Sequence, residues 1–257
     1  MKILCLSDLH LRMTDVSDAI HQRRFTPFLQ SIRDLVEDTK PDVAVVTGDT
    51  VPPPFVNSLN AFFGNLFPSE LPVVATLGNH EFWERPFEET LENVRNQNAE
   101  APNVHILDAK PSVEIGGYNF VGGCLFFDGS MRWREDDDIV PWDGWQDWRI
   151  PGIEERYEEF CAFYIERIRK AMKPNMPNVL CTHHLPHVAL NGHEPNHYSF
   201  YSRVKDLPSQ LPFDGAFPNA LICGHTHRRV IGEVVPGFHC VNVGSDYCVL
   251  MYYLLEL

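Results

Sequence analysis

Asp and His recur behind apolar runs of this chain in a way that suits metal chemistry. "LSDLH" carries Asp8 and His10, "VTGDT" carries Asp49, and "TLGNHE" carries Asn79 and His80. Further on, "VLCTHHLP" holds His183 and His184, and "LICGHTHR" holds His225 and His227. Imidazole and carboxylate together suit divalent manganese, iron, zinc or cobalt, whereas calcium and magnesium sites rarely collect several histidines. Holding two ions close together needs a shared carboxylate. Two aspartates against two divalent ions leave positive charge uncompensated, which favours a phosphate ester over a neutral amide. Such a pair, about 3.5–4 Å apart, acidifies bound water and stabilises the attacking and departing oxygens of an in-line displacement. Asp49 or His10 alone reads more readily as a cap or a satisfied surface residue. The weight lies in five short motifs in succession, each behind an apolar run.

For these residues to meet, the runs before them must be strands with a common direction. Candidates are residues 2–7, 42–47 and 72–77, with helical spacing near 17–38 and 55–66, an alternation that predicts an α/β domain. Within "LSDLH" the two-residue period of an extended chain sends Asp8 and His10 to one face. Glycines precede Asp49, Asn79 and His225 and let the backbone turn or approach closely. Ligands of open α/β sheets sit beyond the strand ends, so the polar residues are expected in one crevice.

"SVEIGGYNFVGG" reads as a hairpin about Gly116-Gly117 and "VIGEVVPGFHCVNV" as another about Pro236-Gly237, so a purely parallel sheet is not expected. Residues 153–172 read as an amphipathic helix whose stripe of Ile153, Tyr157, Phe160, Tyr164, Ile165 and Ile168 faces a core. Residues 126–150 alternate tryptophans (Trp133, Trp142, Trp145, Trp148) with acidic and turn-forming residues. This insertion reads as a long ordered loop that either packs on its own domain, the commoner case, or covers a site and stacks on a flat group. His187, His193 and His197 follow the fourth motif, as a wall of the site or as a solvated loop; His21, His105 and His239 receive no role.

At 257 residues, with 44% hydrophobic and 22% charged, the chain reads as one globular domain. No apolar run approaches the roughly 20 residues of a membrane span, and no export signal is visible at the N-terminus. The seven cysteines form no zinc-ribbon pairs and several lie in apolar runs, so buried thiols and a cytoplasmic location are expected. The formal charge of −14 (21 minus 35) and the absence of basic runs disfavour a broad nucleic-acid surface, although metal ions would still supply a local cationic site. No protein partner is deducible.

In order, D-x-H, G-D, G-N-H-E, T-H-H and G-H-x-H resemble the motifs of the calcineurin-like metallophosphoesterase superfamily, spanning residues 8–227. The resemblance implies a two-sheet mixed β-sandwich flanked by helices, a four-layer α/β fold, with a dinuclear metal site at the strand ends. It assigns Asp8, His10 and His227 to one ion and Asn79, His183 and His225 to the other, with Asp49 bridging. His80 would protonate or stabilise the leaving oxygen. His184 takes a substrate-side or orienting role, in a motif that departs from the H-H-P-P of many relatives. "GDTVPPP" stands where phosphoprotein phosphatases carry an arginine-bearing motif, which disfavours a Ser/Thr phosphatase. The expected function is hydrolysis of a small phosphodiester or nucleotide-like ester with two divalent or mixed-valence transition ions. A nuclease of the same fold and a metal-binding scaffold without turnover are the alternatives.

Overall fold

The computed structural model describes residues 1–97, 101–130, 145–192, 204–247 and 249–257. Trp133, Trp142, His193 and His197 lie outside the described residues, as does most of the tryptophan-rich stretch. Along the first half run β1 (Lys2–Leu6), α1 (Met13–His21), α2 (Pro27–Thr39), β2 (Val43–Thr47), α3 (Leu59–Leu66), β3 (Val73–Thr76), α4 (Phe87–Arg95) and β4 (Val104–Ile106). The second half adds β5 (Ser112–Ile115), β6 (Tyr118–Gly123), α5 (Ile153–Ala171), β7 (Asn178–Thr182), β8 (Asn219–Cys223), β9 (Val230–Gly232), β10 (Phe238–Asn242) and β11 (Tyr253–Glu256).

Two sheets result. The first has the order β11-β1-β2-β3-β4, parallel except for β11, and the second the order β5-β6-β7-β8-β10-β9, with antiparallel edges at β5 and β9. Strand periodicity divides the apolar residues between two layers. Ile3, Cys5, Val43 and Val45 form one core with Val179, Cys181, Ala220 and Ile222 of the other sheet. The intervening Leu4, Leu6, Ala44 and Val46 join a larger core with Val16, Ile32 and Phe62 of the helices. Leu180 and Leu221 of the second sheet join the same core, which includes Phe160 and Tyr164 of α5. Burial on both faces explains why β2, β7 and β8 read as unbroken apolar runs rather than alternating ones.

The helix expected over 17–38 is two helices. Pro27 has no N–H to give to a helix interior but suits a first turn, so α2 restarts there with Thr26 as its cap, Oγ1 accepting from Leu29 N at 3.5 Å. The segment expected over 55–66 begins as a tight 3-10 turn at Pro53–Ser58 before α3. Both hairpins form, β5–β6 about Gly116 and Gly117 at φ 56° and 85°, and β9–β10 across the Pro236-Gly237 turn. Since β1, β2 and β3 are parallel, as are β7 and β8, their carboxyl ends deliver the motif-bearing loops to one side of the molecule.

Candidate metal centre

All five loops meet. Asp8, His10 and His227 offer ligand atoms within 4.8 Å of one another, and so do Asp49, His183 and His225. His10 Nε2 lies 3.2 Å from His227 Nε2, and His227 Nε2 lies 3.7 Å from Asp8 Oδ1. In the second group His183 Nε2 is 2.9 Å from Asn79 Oδ1 and 3.4 Å from Asp49 Oδ2, and His225 Nδ1 is 3.1 Å from the same Asn79 oxygen. Asp49 also stands 3.9 Å from His10, between the two groups.

This gathering uses backbone conformations that residues with a Cβ rarely adopt. Asp8, His10, Asp49, His225 and His227 all have positive φ, between 42° and 71°. Each costs about 1 kcal/mol or more, and such residues persist only where their surroundings hold them. Here His10 N donates to Asp49 O at 2.8 Å, Asp8 N donates to Gly48 O at 3.1 Å, and His225 N donates to the Asp8 carboxylate at 3.0 Å. The packing leaves no room at Gly48, where a Cβ would run into the His183 ring and come within 2.8 Å of the Gly78 backbone.

The donor set fits cations on grounds of proton count. His183 Nδ1 donates to the Thr47 carbonyl at 2.9 Å, which leaves Nε2 as the atom facing the cluster. Asn79 Nδ2 donates to Asp147 Oδ1 at 2.6 Å, which turns the amide oxygen inward. His227 Nδ1 donates to Asp246 Oδ1 at 3.3 Å, which does the same for its Nε2. Acceptor atoms thus converge within hydrogen-bond distance without enough protons between them, and positive charge has to lie among them. Burial opposes ionisation of both His183 and Asp49, but their attraction prevails, holding His183 up to about 10 and Asp49 well below the usual carboxylate range. His10, by contrast, is lowered to about 4 and His225 is held well below the ordinary imidazole value, each chiefly by burial, which favours the neutral, ligand-type ring in both. A proton on His183 is what a metal ion would replace.

Three other predicted residues have distinct surroundings. His80 donates its backbone N–H to Asp49 Oδ1 at 3.0 Å and brings its ring Nε2 to 3.6 Å from Asp49 Oδ2 at the edge of the cluster. His184 is fully buried behind His225, with ring centroids 4.2 Å apart, and its Nδ1 donates to the Cys124 carbonyl at 3.2 Å. That location suits the orienting role, not contact with substrate. His187 caps a short turn, its Nδ1 accepting from Ala189 N at 3.0 Å.

Several supporting residues received no role from the sequence. Glu81, buried, accepts from the backbone N–H groups of Asp49, Thr50, Val51 and Gly78 at 2.6–3.1 Å, tying the second motif to the third. Burial first, then Asp49, pushes its carboxyl up to about 7 against those donors. Its signal was present as the last letter of "GNHE". Asp147 belongs to the tryptophan-rich stretch and reaches the centre, accepting from both Asn79 Nδ2 and Trp83 Nε1. Trp83 in turn stacks on His80 at 3.7 Å, and Tyr247 stacks on His10 at 4.2 Å. No local pattern marks Asp147, Asp246 or Tyr247 as partners, because they lie 68, 19 and more than 200 residues from what they touch.

Comparison with known proteins agrees with this geometry. The family model of calcineurin-like phosphoesterases matches residues 1–229. Among solved structures, the chain is similar to phosphopantetheinyl hydrolase (PptH) from Mycobacterium tuberculosis at 15% identity and TM-score 0.62, covering 96% of this chain and 89% of that one. A second solved structure is similar at 14% identity and TM-score 0.58, over 95% of this chain and 90% of the other. At such identities these likenesses establish the fold. Curated proteins give no match. The family match over most of the length, together with ligand-type side chains from five strand ends gathered in one place, shows that this chain belongs to the calcineurin-like phosphoesterase family.

Proposed function

We propose that the protein is a dinuclear metal-dependent hydrolase of phosphate esters, acting on a small phosphodiester or nucleotide-like substrate. The observation that carries this reading is the convergence of two groups of ligand atoms on either side of Asp49. Asp8, His10 and His227 would hold one ion, Asn79, His183 and His225 the other, and Asp49 both. When bound, the pair of ions would acidify a water and neutralise charge on the phosphoryl oxygens.

The remaining chemistry belongs to the chain. His80, partly exposed and fixed in plane by Trp83, would give a proton to the departing oxygen. His184 would steady His225 from behind, and Asp246 and Asp147 would orient His227 and Asn79. The acidic balance and the lack of basic runs speak against a nuclease.

Asp49→Asn is the direct test. Metal content read by mass spectrometry should fall, and turnover of bis(p-nitrophenyl) phosphate by the metal-loaded protein should drop by about 100-fold or more, with the circular dichroism unchanged. Native metal content and native turnover in that variant would overturn the assignment.

A further inference from the structure

Beside the metal centre runs a groove of about 490 Å³ whose inner end is lined by His10, Asp49 and His80. Its walls have no counterpart in the motifs. Met13, the first residue of α1, and Tyr247 are 55% and 56% exposed, and Val51, Pro52, Pro53 and Pro54 line the same groove. Trp83, Glu84 and Arg149 also line it. Large apolar side chains open to water beside a site of this size are what a ligand covers.

We propose that this groove receives the alcohol half of the phosphoester, and that the alcohol it takes is an uncharged, flat aromatic one. The inference rests on the phosphoesterase reading and adds the leaving group to it. The phosphoryl group has to lie over the ligand cluster, and a leaving oxygen served by His80 has to point to where His80 is open, which is this groove.

The walls then choose among alcohols. Arg149 is the one Lys or Arg among the described lining residues; its guanidinium lies 4.3 Å over the Trp83 ring and is ion-paired to Glu84. Among the described lining residues a polyphosphate, or the next phosphate of a nucleic acid, would find no unpaired Lys or Arg. An aromatic ring finds the exposed phenol of Tyr247, the thioether of Met13 and rigid pyrrolidine faces, all of which bind flat rings better than they bind short alkyl chains.

The test uses non-hydrolysable phosphonates and calorimetry on the metal-loaded protein. Benzylphosphonate should bind about 10-fold more tightly than methylphosphonate. In Met13→Ser and in Tyr247→Ala that ratio should fall toward one, and 4-carboxybenzylphosphonate should lose the advantage in the unaltered protein. Equal affinities of benzyl- and methylphosphonate, a ratio unmoved by both substitutions, or a preference for the carboxylated ring would each overturn the groove assignment. If methylphosphonate binds but shows no aromatic advantage, only the leaving-group inference fails. If neither phosphonate binds and no ester is hydrolysed, the phosphoesterase reading fails with it.

Discussion

Glu81 and Asp147 show how much of the candidate centre is shaped by residues outside its groups of ligand-type side chains. Each oxygen of Glu81 accepts from two backbone N–H groups, so an isosteric Glu81→Gln must turn an amide N–H₂ toward one of those pairs. Leaving these buried donors unmatched should cost about 2–3 kcal/mol, read as a lowered midpoint in urea unfolding. Asp147→Ala removes what holds the Asn79 oxygen inward, and metal affinity measured against a competing chelator should fall about 10–100-fold. Titration of Asp147→Ala with the native affinity would show that Asn79 needs no orienting partner. At this scale the candidate ligand residues were legible because chemically unusual side chains stood at regular places after apolar runs. Their supports were not, because a carboxylate that accepts backbone hydrogen bonds looks in sequence like any other.

Among the elements, α4 and α5 are joined by aromatic packing. Phe87 lies parallel to Phe160 at 4.1 Å, with Phe126 against both rings at 6.0 and 5.6 Å. Phe160→Ala should therefore cost about 3–5 kcal/mol in unfolding free energy, and a loss under 1 kcal/mol would mean that the cluster collapses to fill the space. On the surface of the same pair, Arg156 bonds Glu88 of α4 at 2.5 Å and Glu159 of α5 at 2.8 Å. Their hydrogen bonds to Arg156 lower the pKa of both carboxyls, so this contribution is present above the ordinary Glu value and disappears as pH falls through the lowered ones. Arg156→Leu should accordingly reduce the melting temperature slightly near pH 7, by an amount that shrinks as the pH is lowered below the ordinary Glu value, since exposed pairs are weak. The long helix α5 was legible from its stripe, whereas α4, β4 and β11 were not. β4 spans only Val104–Ile106, and β11 is recognisable as a strand only by its pairing with β1.

For the molecule as a whole, the two halves of the chain share the candidate centre. Asp8, His10, Asp49 and Asn79 follow strands of one sheet, and His183, His225 and His227 follow strands of the other. Ions held by both would bind the folded state alone and fasten the sheets together. Metal in large excess over its dissociation constant should then stabilise by about 4 kcal/mol at a thousandfold excess, and the melting temperature should rise with metal and fall with chelator. A melting temperature indifferent to every transition ion would argue against bound metal at this interface. The charge of −14 acts in the same direction, since cations relieve the repulsion of an acidic chain.

From the order of residues alone follow the α/β class, the five strand ends and the identity of the side chains they carry, because periodicity and residue chemistry are local properties. Tertiary structure decided that His183 Nε2 rather than the His184 ring faces the cluster, that Asp147 reaches it from the tryptophan-rich stretch, and that Met13, Val51 and Tyr247 share one groove. Those facts depend on the register of parallel strands and the packing of two sheets, which bring together atoms that no spacing along the chain relates.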